Sequence, residues 1–252
     1  WRNKRDSENG RGYAPKGKNR AVTWNYHLPG EDERLDYESI GMRTIIAWLL
    51  TYLLVCGLIP VAVGKLFWEA TPAGRSAWLN LITLFVFNIL FLLGLKKKYR
   101  LKLDIFRNLS FKGIVMALAC SLLFFLLLDK FLDPFFDCLF RASAEGYQRT
   151  IEQLRQAPVV SFIRVCLLAP VVEEILIRGW VLTALYENYP IWPALLLSTF
   201  FFAVLHFNFV QTLSAVIAGL ILGLLYIKTG SLFCCILAHA LYNTISYFNI
   251  IF

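Results

Sequence analysis

The sequence predicts an all-α, polytopic membrane bundle of about seven transmembrane helices with a polar N-terminal arm. Three observations carry this reading. The chain has 252 residues, 58% of them hydrophobic and 15% aromatic, and its mean hydropathy is +0.59, well above that of a soluble domain of this size. Several apolar runs reach the roughly 20 residues needed to cross about 30 Å of hydrocarbon. The net charge of +8 is concentrated in the first forty positions and in the loops. That distribution suits anionic headgroups and a positive-inside orientation, so membrane lipids are the expected partners and nucleic acid is not.

Residues 1–41 form a polar, basic tail, with Trp1-Arg2-Asn3-Lys4-Arg5 and Pro15-Lys16-Gly17-Lys18-Asn19-Arg20 and no apolar period. It reads as a membrane-surface arm, and His27 as a surface histidine. The chain begins at Trp1 rather than Met, so an upstream segment is expected to be missing or removed, and a signal or transit peptide is one kind that could have stood there. Residues 42–252 form the bundle, with a catalytic core at about 158–252.

The first span is expected from about Met42 to Phe67, with a kink near Gly57 and Pro60 and with Lys65, Trp68 and Glu69 at the interface. The second runs from about Ala77 to Leu95. It ends in Lys96-Lys97-Lys98-Tyr99-Arg100, followed by Lys102, Arg107 and Lys112. This block is placed in the cytoplasm or its topological equivalent, which puts the N-terminus inside and the C-terminus outside. The host is a bacterial plasma membrane or a eukaryotic organelle membrane. The third span covers about Phe111 to Leu128. The mixed segment Asp129 to Ala157 reads as an amphipathic surface helix or hairpin outside the core.

The fourth span, about Pro158 to Tyr186, carries an acidic pair, and Arg164 near its start reads as a snorkelling or headgroup residue. The fifth runs from about Pro190 to Phe207. The sixth, Gln211 to Ile227, has Gly219 and Gly223 at the spacing of a close-packing helix face. The last runs from Ser231 to Phe252. Cys56, Cys120, Cys138, Cys166, Cys234 and Cys235 contain no C-x-x-C pair, and most lie in apolar runs, so they read as small core residues.

Three late spans bring polar residues into apolar surroundings. In the fourth, Glu173, Glu174 and Arg178 sit where each charge costs at least about 2.5–3.5 kcal/mol near a bilayer centre. Glu174 and Arg178 are i,i+4 and can pair on one helix face. Glu173 is rotated from Glu174 by about 100° and points elsewhere. Phe202 and His206 are i,i+4 in the fifth span, so the ring can pack under the imidazole. His239 and Asn243 are i,i+4 in the seventh.

A carboxylate and an imidazole can activate a water held between them, and an imidazole with an amide can stabilise an oxyanion. Together they suit amide hydrolysis without a covalent intermediate. Ser198 lies about two turns before His206 and no G-x-S-x-G is present; the aspartates read as loop or span-end residues. Glu173, His206 and His239 could instead hold zinc with one open position, although the helical H-E-x-x-H pattern is absent. Outside catalysis, the same residues could form a nonproteolytic membrane scaffold that binds a peptide or partner in the same cavity. A proton-coupled transporter is the third class, disfavoured by a short chain without an internal repeat.

Glu173-Glu174-x-x-x-Arg178, Phe202-x-x-x-His206 and His239-x-x-x-Asn243, in this order on separate apolar spans, resemble the motifs of the CAAX protease and bacteriocin-processing family, also called CPBP or ABI. The likeness covers about the last hundred residues. It implies an intramembrane glutamate protease that needs no cofactor or metal. Glu173 and His206 would activate water, and His239 and Asn243 would form the oxyanion site. Glu174, Arg178 and Phe202 would give structural support. In the CAAX-processing members the substrate is a prenylated protein, cleaved at the cytosolic face to remove its C-terminal tripeptide. Prokaryotic members more often act on peptides, on signalling precursors or in bacteriocin self-immunity, so the resemblance also implies the alternative of a nonproteolytic scaffold or self-immunity protein.

Overall fold

The computed structural model describes residues 40–99 and 104–251. Residues 1–39, which hold the basic arm and His27, lie outside the described residues. Among those described there are eight helices and no strand. They are α1 Met42–Trp68, α2 Ala73–Tyr99 and α3 Phe111–Leu139, α4 Arg141–Arg155, α5 158–188, and α6 Ile191–Val204, α7 Phe209–Thr229 and α8 Leu232–Ile251.

Five of them (α1, α2, α3, α7 and α8) are long and apolar enough to cross a membrane. Their outward faces carry exposed Leu50, Leu66, Leu90, Phe111, Phe131 and Phe248, the surface a lipid solvent requires. The protein is an integral membrane protein. The other two expected spans differ from this pattern. Helix α5 is long enough but carries Arg164, Glu173, Glu174 and Arg178. Helix α6 has only 14 residues, about 21 Å at 1.5 Å per residue, too short to cross alone.

Prolines explain three of the five π-wound segments among the described residues; Gly64–Trp68 and Ile175–Leu182 are π-wound without one. Leu53–Leu58, Phe125–Leu132 and Ile163–Leu168 are π-wound, and each is followed two residues later by a proline: Pro60, Pro134 and Pro170. In each case the residue before the proline donates its N–H five residues back: Ile59 to Leu54, Asp133 to Leu128, Ala169 to Arg164. Proline has no N–H to continue the ladder, and a widened turn lets the helix pass it without breaking. Because Pro134 is absorbed this way, α3 runs on to Leu139 rather than ending near 128. Asp129, Asp133 and Asp137 therefore lie inside a continuous helix, not in a loop.

Caps set the remaining ends. Ser110 accepts from the Gly113 N–H at 3.1 Å and starts α3, while Asn208 accepts from the Gln211 N–H at 3.2 Å and starts α7. Helix α7 stops at Gly230, whose φ of 61° is left-handed, a conformation glycine adopts without a Cβ penalty. Helices α6 and α7 pack most closely of all pairs, followed by α3 and α8. Gly219 and Gly223 make the first contact possible: a Cβ on Gly219 would meet Phe202 and Thr199 at 3.1 Å, and one on Gly223 would overlap Leu195. The expected close-packing face is therefore used.

The mixed segment resolves into the end of α3 and the amphipathic helix α4. Ile151 is the buried residue of α4. Ser143 donates to Asn208 at 3.0 Å and takes the Asn208 amide on its carbonyl at 2.7 Å. Arg155 donates to the Ile250 carbonyl at 2.6 Å. These bonds tie α4 across the start of α7 and the end of α8.

Candidate functional site

Helix α5 presents two different faces around its centre. On one face Glu174 and Arg178 are buried to 0% and 1% exposure and pair at 2.9 Å. The guanidinium also donates to the Gly219 carbonyl at 3.1 Å and stacks over the Phe202 ring at 4.5 Å. A buried ion pair offsets its desolvation only when its remaining donors are satisfied, and here a carboxylate, a carbonyl and an aromatic face share that task. Beside it, the Glu173 carboxylate is 22% exposed and borders a cavity of about 310 Å³.

The cavity draws one wall from each late helix. His206 follows the end of α6. Its backbone N–H bonds the Ala203 carbonyl at 3.0 Å and its own carbonyl accepts from the Thr212 hydroxyl at 2.6 Å. Its Nδ1 lies 3.1 Å from the Phe202 carbonyl oxygen. A carbonyl only accepts, so Nδ1 carries the proton and Nε2 keeps its lone pair. His239 is pinned in the same sense. Its Nδ1 donates to Glu174 Oε1 at 2.9 Å, and its Nε2 stands 3.9 Å from Glu173 Oε2. Phe202 packs edge-on against both imidazoles, with centroids 5.1 Å from His206 and 5.9 Å from His239.

The six residues Glu173, Glu174, Arg178, Phe202, His206 and His239 thus form one cluster. His206, late in its run, and His239, early in its own, both reach the same phenyl ring because α6 is short. Asn243 also borders the cavity. Its amide donates to the Val165 carbonyl at 2.9 Å. With Ala169 bonded to Arg164, the next donor in the π-wound ladder would be residue 170, a proline, so the Val165 carbonyl is left for Asn243 to take. Pro170 therefore joins the first motif to the third. It stands next to the acidic pair in sequence, but its role depends on local π winding that no apolar period reveals.

Sequence reasoning also missed the polar residues of α3. Tyr242 donates to Asp129 at 2.9 Å, Ser214 meets Asp133, and Asp133 and Asp137 border the cavity. Their i,i+4,i+8 spacing was the available signal. Burial, with Asp133 and Asp129 next in importance, pushes the Tyr147 phenol on α4 up to about 12, so this wall residue keeps its proton. Among the described residues no three His, Cys, Asp or Glu side chains are grouped so as to hold a metal ion.

A carboxylate and two oriented imidazoles around one cavity inside an apolar helix bundle are groups that can exchange protons with a bound molecule. Residues 155–245 match the family model described as type II CAAX prenyl endopeptidase Rce1-like. The match spans α5 to α8 and includes every residue of the three motifs. It supports membership of the CAAX protease family and, at the level of class, a protease. No curated protein and no solved structure matches the chain.

Proposed function

We propose that this protein is an intramembrane endopeptidase in which Glu173 is the general base, acting with His206 on a water in the cavity, and that it removes the C-terminal tripeptide of a prenylated CAAX protein. The observation that carries this is the Glu173 carboxylate in a cavity with two imidazoles whose Nδ1 protons are already committed. Glu173 takes a proton from water as the water oxygen attacks the peptide carbonyl carbon. The resulting oxyanion is met by the remaining Asn243 amide hydrogen and, when His239 is protonated, by its Nε2–H. The tetrahedral intermediate then expels the amine, which receives the proton from Glu173.

The test is cleavage of a farnesylated CAAX peptide by the full chain in detergent. Wild type, Glu173→Ala, His206→Ala and wild type with a zinc chelator are run together. Cleavage abolished by both substitutions and retained with chelator is the expected result. Full activity in Glu173→Ala refutes the mechanism, and loss with chelator points to zinc held by Glu173, His206 and His239. Membrane phenotypes that survive Glu173→Ala favour the nonproteolytic scaffold.

Orientation is a separate question. Lys96, Lys97 and Lys98 lie in the last turn of α2, and Ile105, seven residues beyond Lys98, lies at the start of α8, where Phe233 donates to its carbonyl at 3.0 Å. The cavity instead runs toward α4 and the opposite end of α8, past Tyr247 to Ile250. Exposed Cys138 marks that end. A membrane-impermeant thiol reagent that labels Cys138 from outside intact cells places the cavity mouth opposite the lysines and argues against a cytosolic substrate. Labelling only after permeabilisation restores it.

A further inference from the structure

Arg164 is the one Lys or Arg side chain among the described residues that border the catalytic cavity. It also borders a second cavity of about 540 Å³ between α1, α2, α4 and α5. No hydrogen bond or ion pair joins it to any described residue, in contrast to Arg178, which has three partners, and Arg155, which bonds a carbonyl. A guanidinium facing a cavity in an apolar helix without an internal partner is a site for an anion.

Its position selects the anion. Arg164 and Glu173 are nine residues apart on one helix, about 14 Å along the axis. Val165, Ala169 and Glu173 border the cavity at four-residue steps, and Arg164 borders it next to Val165. A fully extended tripeptide spans at most about 10–11 Å, and the flexible arginine side chain covers the remainder. A peptide whose scissile carbonyl stands at Glu173 would therefore place a carboxylate three residues downstream beside Arg164. Asp133 and Asp137, which also border the cavity, carry the opposite sign, so Arg164 is the single cationic contact for it among the described residues.

We infer that Arg164 is the anchor for the free C-terminal carboxylate of the substrate, through a charge-assisted, bidentate pair. This rests on the protease reading and adds a ruler to it: the enzyme measures from the chain end to the bond it cuts.

The experiment compares two farnesylated peptides of one sequence, one ending in a carboxylate and one in an amide. They are offered to wild type, Arg164→Gln and Arg164→Lys, all full-length in nanodiscs of neutral lipid and of lipid with anionic headgroups. Binding to Glu173→Gln, alone and combined with Arg164→Gln, is measured by fluorescence anisotropy. Wild type is expected to favour the carboxylate about 10- to 100-fold in KM, with little change in kcat. Arg164→Gln should lose that preference, and Arg164→Lys should recover part of it. Cleavage without carboxylate preference, or a preference that survives Arg164→Gln, overturns the anchor and leaves the protease reading standing. Carboxylate-dependent binding lost in Arg164→Gln, with no cleavage of either peptide by wild type, supports the anchor and removes the protease reading. An Arg164→Gln effect that follows only the anionic lipid, at an unchanged carboxylate-to-amide ratio, assigns the residue to a headgroup and also overturns the anchor.

Discussion

The face of α5 that carries Glu174 and Arg178 is dry, whereas the face carrying Glu173, one residue away, borders water-sized space. On the dry face every charged group has protein partners: Glu174 Oε1 accepts from both Arg178 and His239, and Arg178 adds a carbonyl and a ring. On the cavity face the one ion-pair approach to Glu173 among the described residues is that of His239 at 3.9 Å. Breaking a buried pair costs stability because the remaining charge is stranded; here the Glu174 Oε2 atom already has no hydrogen-bond partner among the described residues. Leaving a carboxylate loosely held keeps it free to take a proton. His239 bridges the two faces, taking its orientation from the dry one and presenting Nε2 to the wet one.

Substitutions can break this contrast. Glu173→Gln should lower kcat/KM by about 10²- to 10⁴-fold with the melting temperature in detergent unchanged; a large loss of thermal stability would mean that the wet face is structural too. Arg178→Leu should do the reverse and cost about 3–5 kcal/mol, because it strands Glu174 in the core. Thermal melting and detergent-solubilised yield read it, and Glu174→Leu combined with Arg178→Leu should regain part of the loss. Gly219→Ala sharpens the link between the faces. Its Cβ would press on Phe202, the ring shared by Arg178, His206 and His239. Overpacking of this kind costs about 1–3 kcal/mol, and turnover should fall with it. Ser110→Ala lies far from both faces and removes only a cap, so about 1 kcal/mol of stability and no change in KM are expected.

Much of this was legible in the chain. The i,i+4 pairs Glu174–Arg178 and Phe202–His206 follow from helical geometry, and each is in contact in the structure. The polar stripe of α3 was not found, because an apolar run that meets Asp129, Lys130 and Pro134 reads as ending. Helix α6 was expected to span, because composition does not register that the chain turns at Leu205 and His206 to give the histidine its place.

By itself, the sequence determined the membrane class, the helical content and the residue types of the site, since apolar run length and the cost of buried charge are local properties of the chain. Only the tertiary structure decided which imidazole nitrogen each cavity histidine exposes, and that a carbonyl freed by Pro170 receives Asn243. Those outcomes depend on which donors and acceptors meet across helices, and a side chain's hydrogen-bond partner in an apolar core is set by packing rather than by its neighbours in the chain.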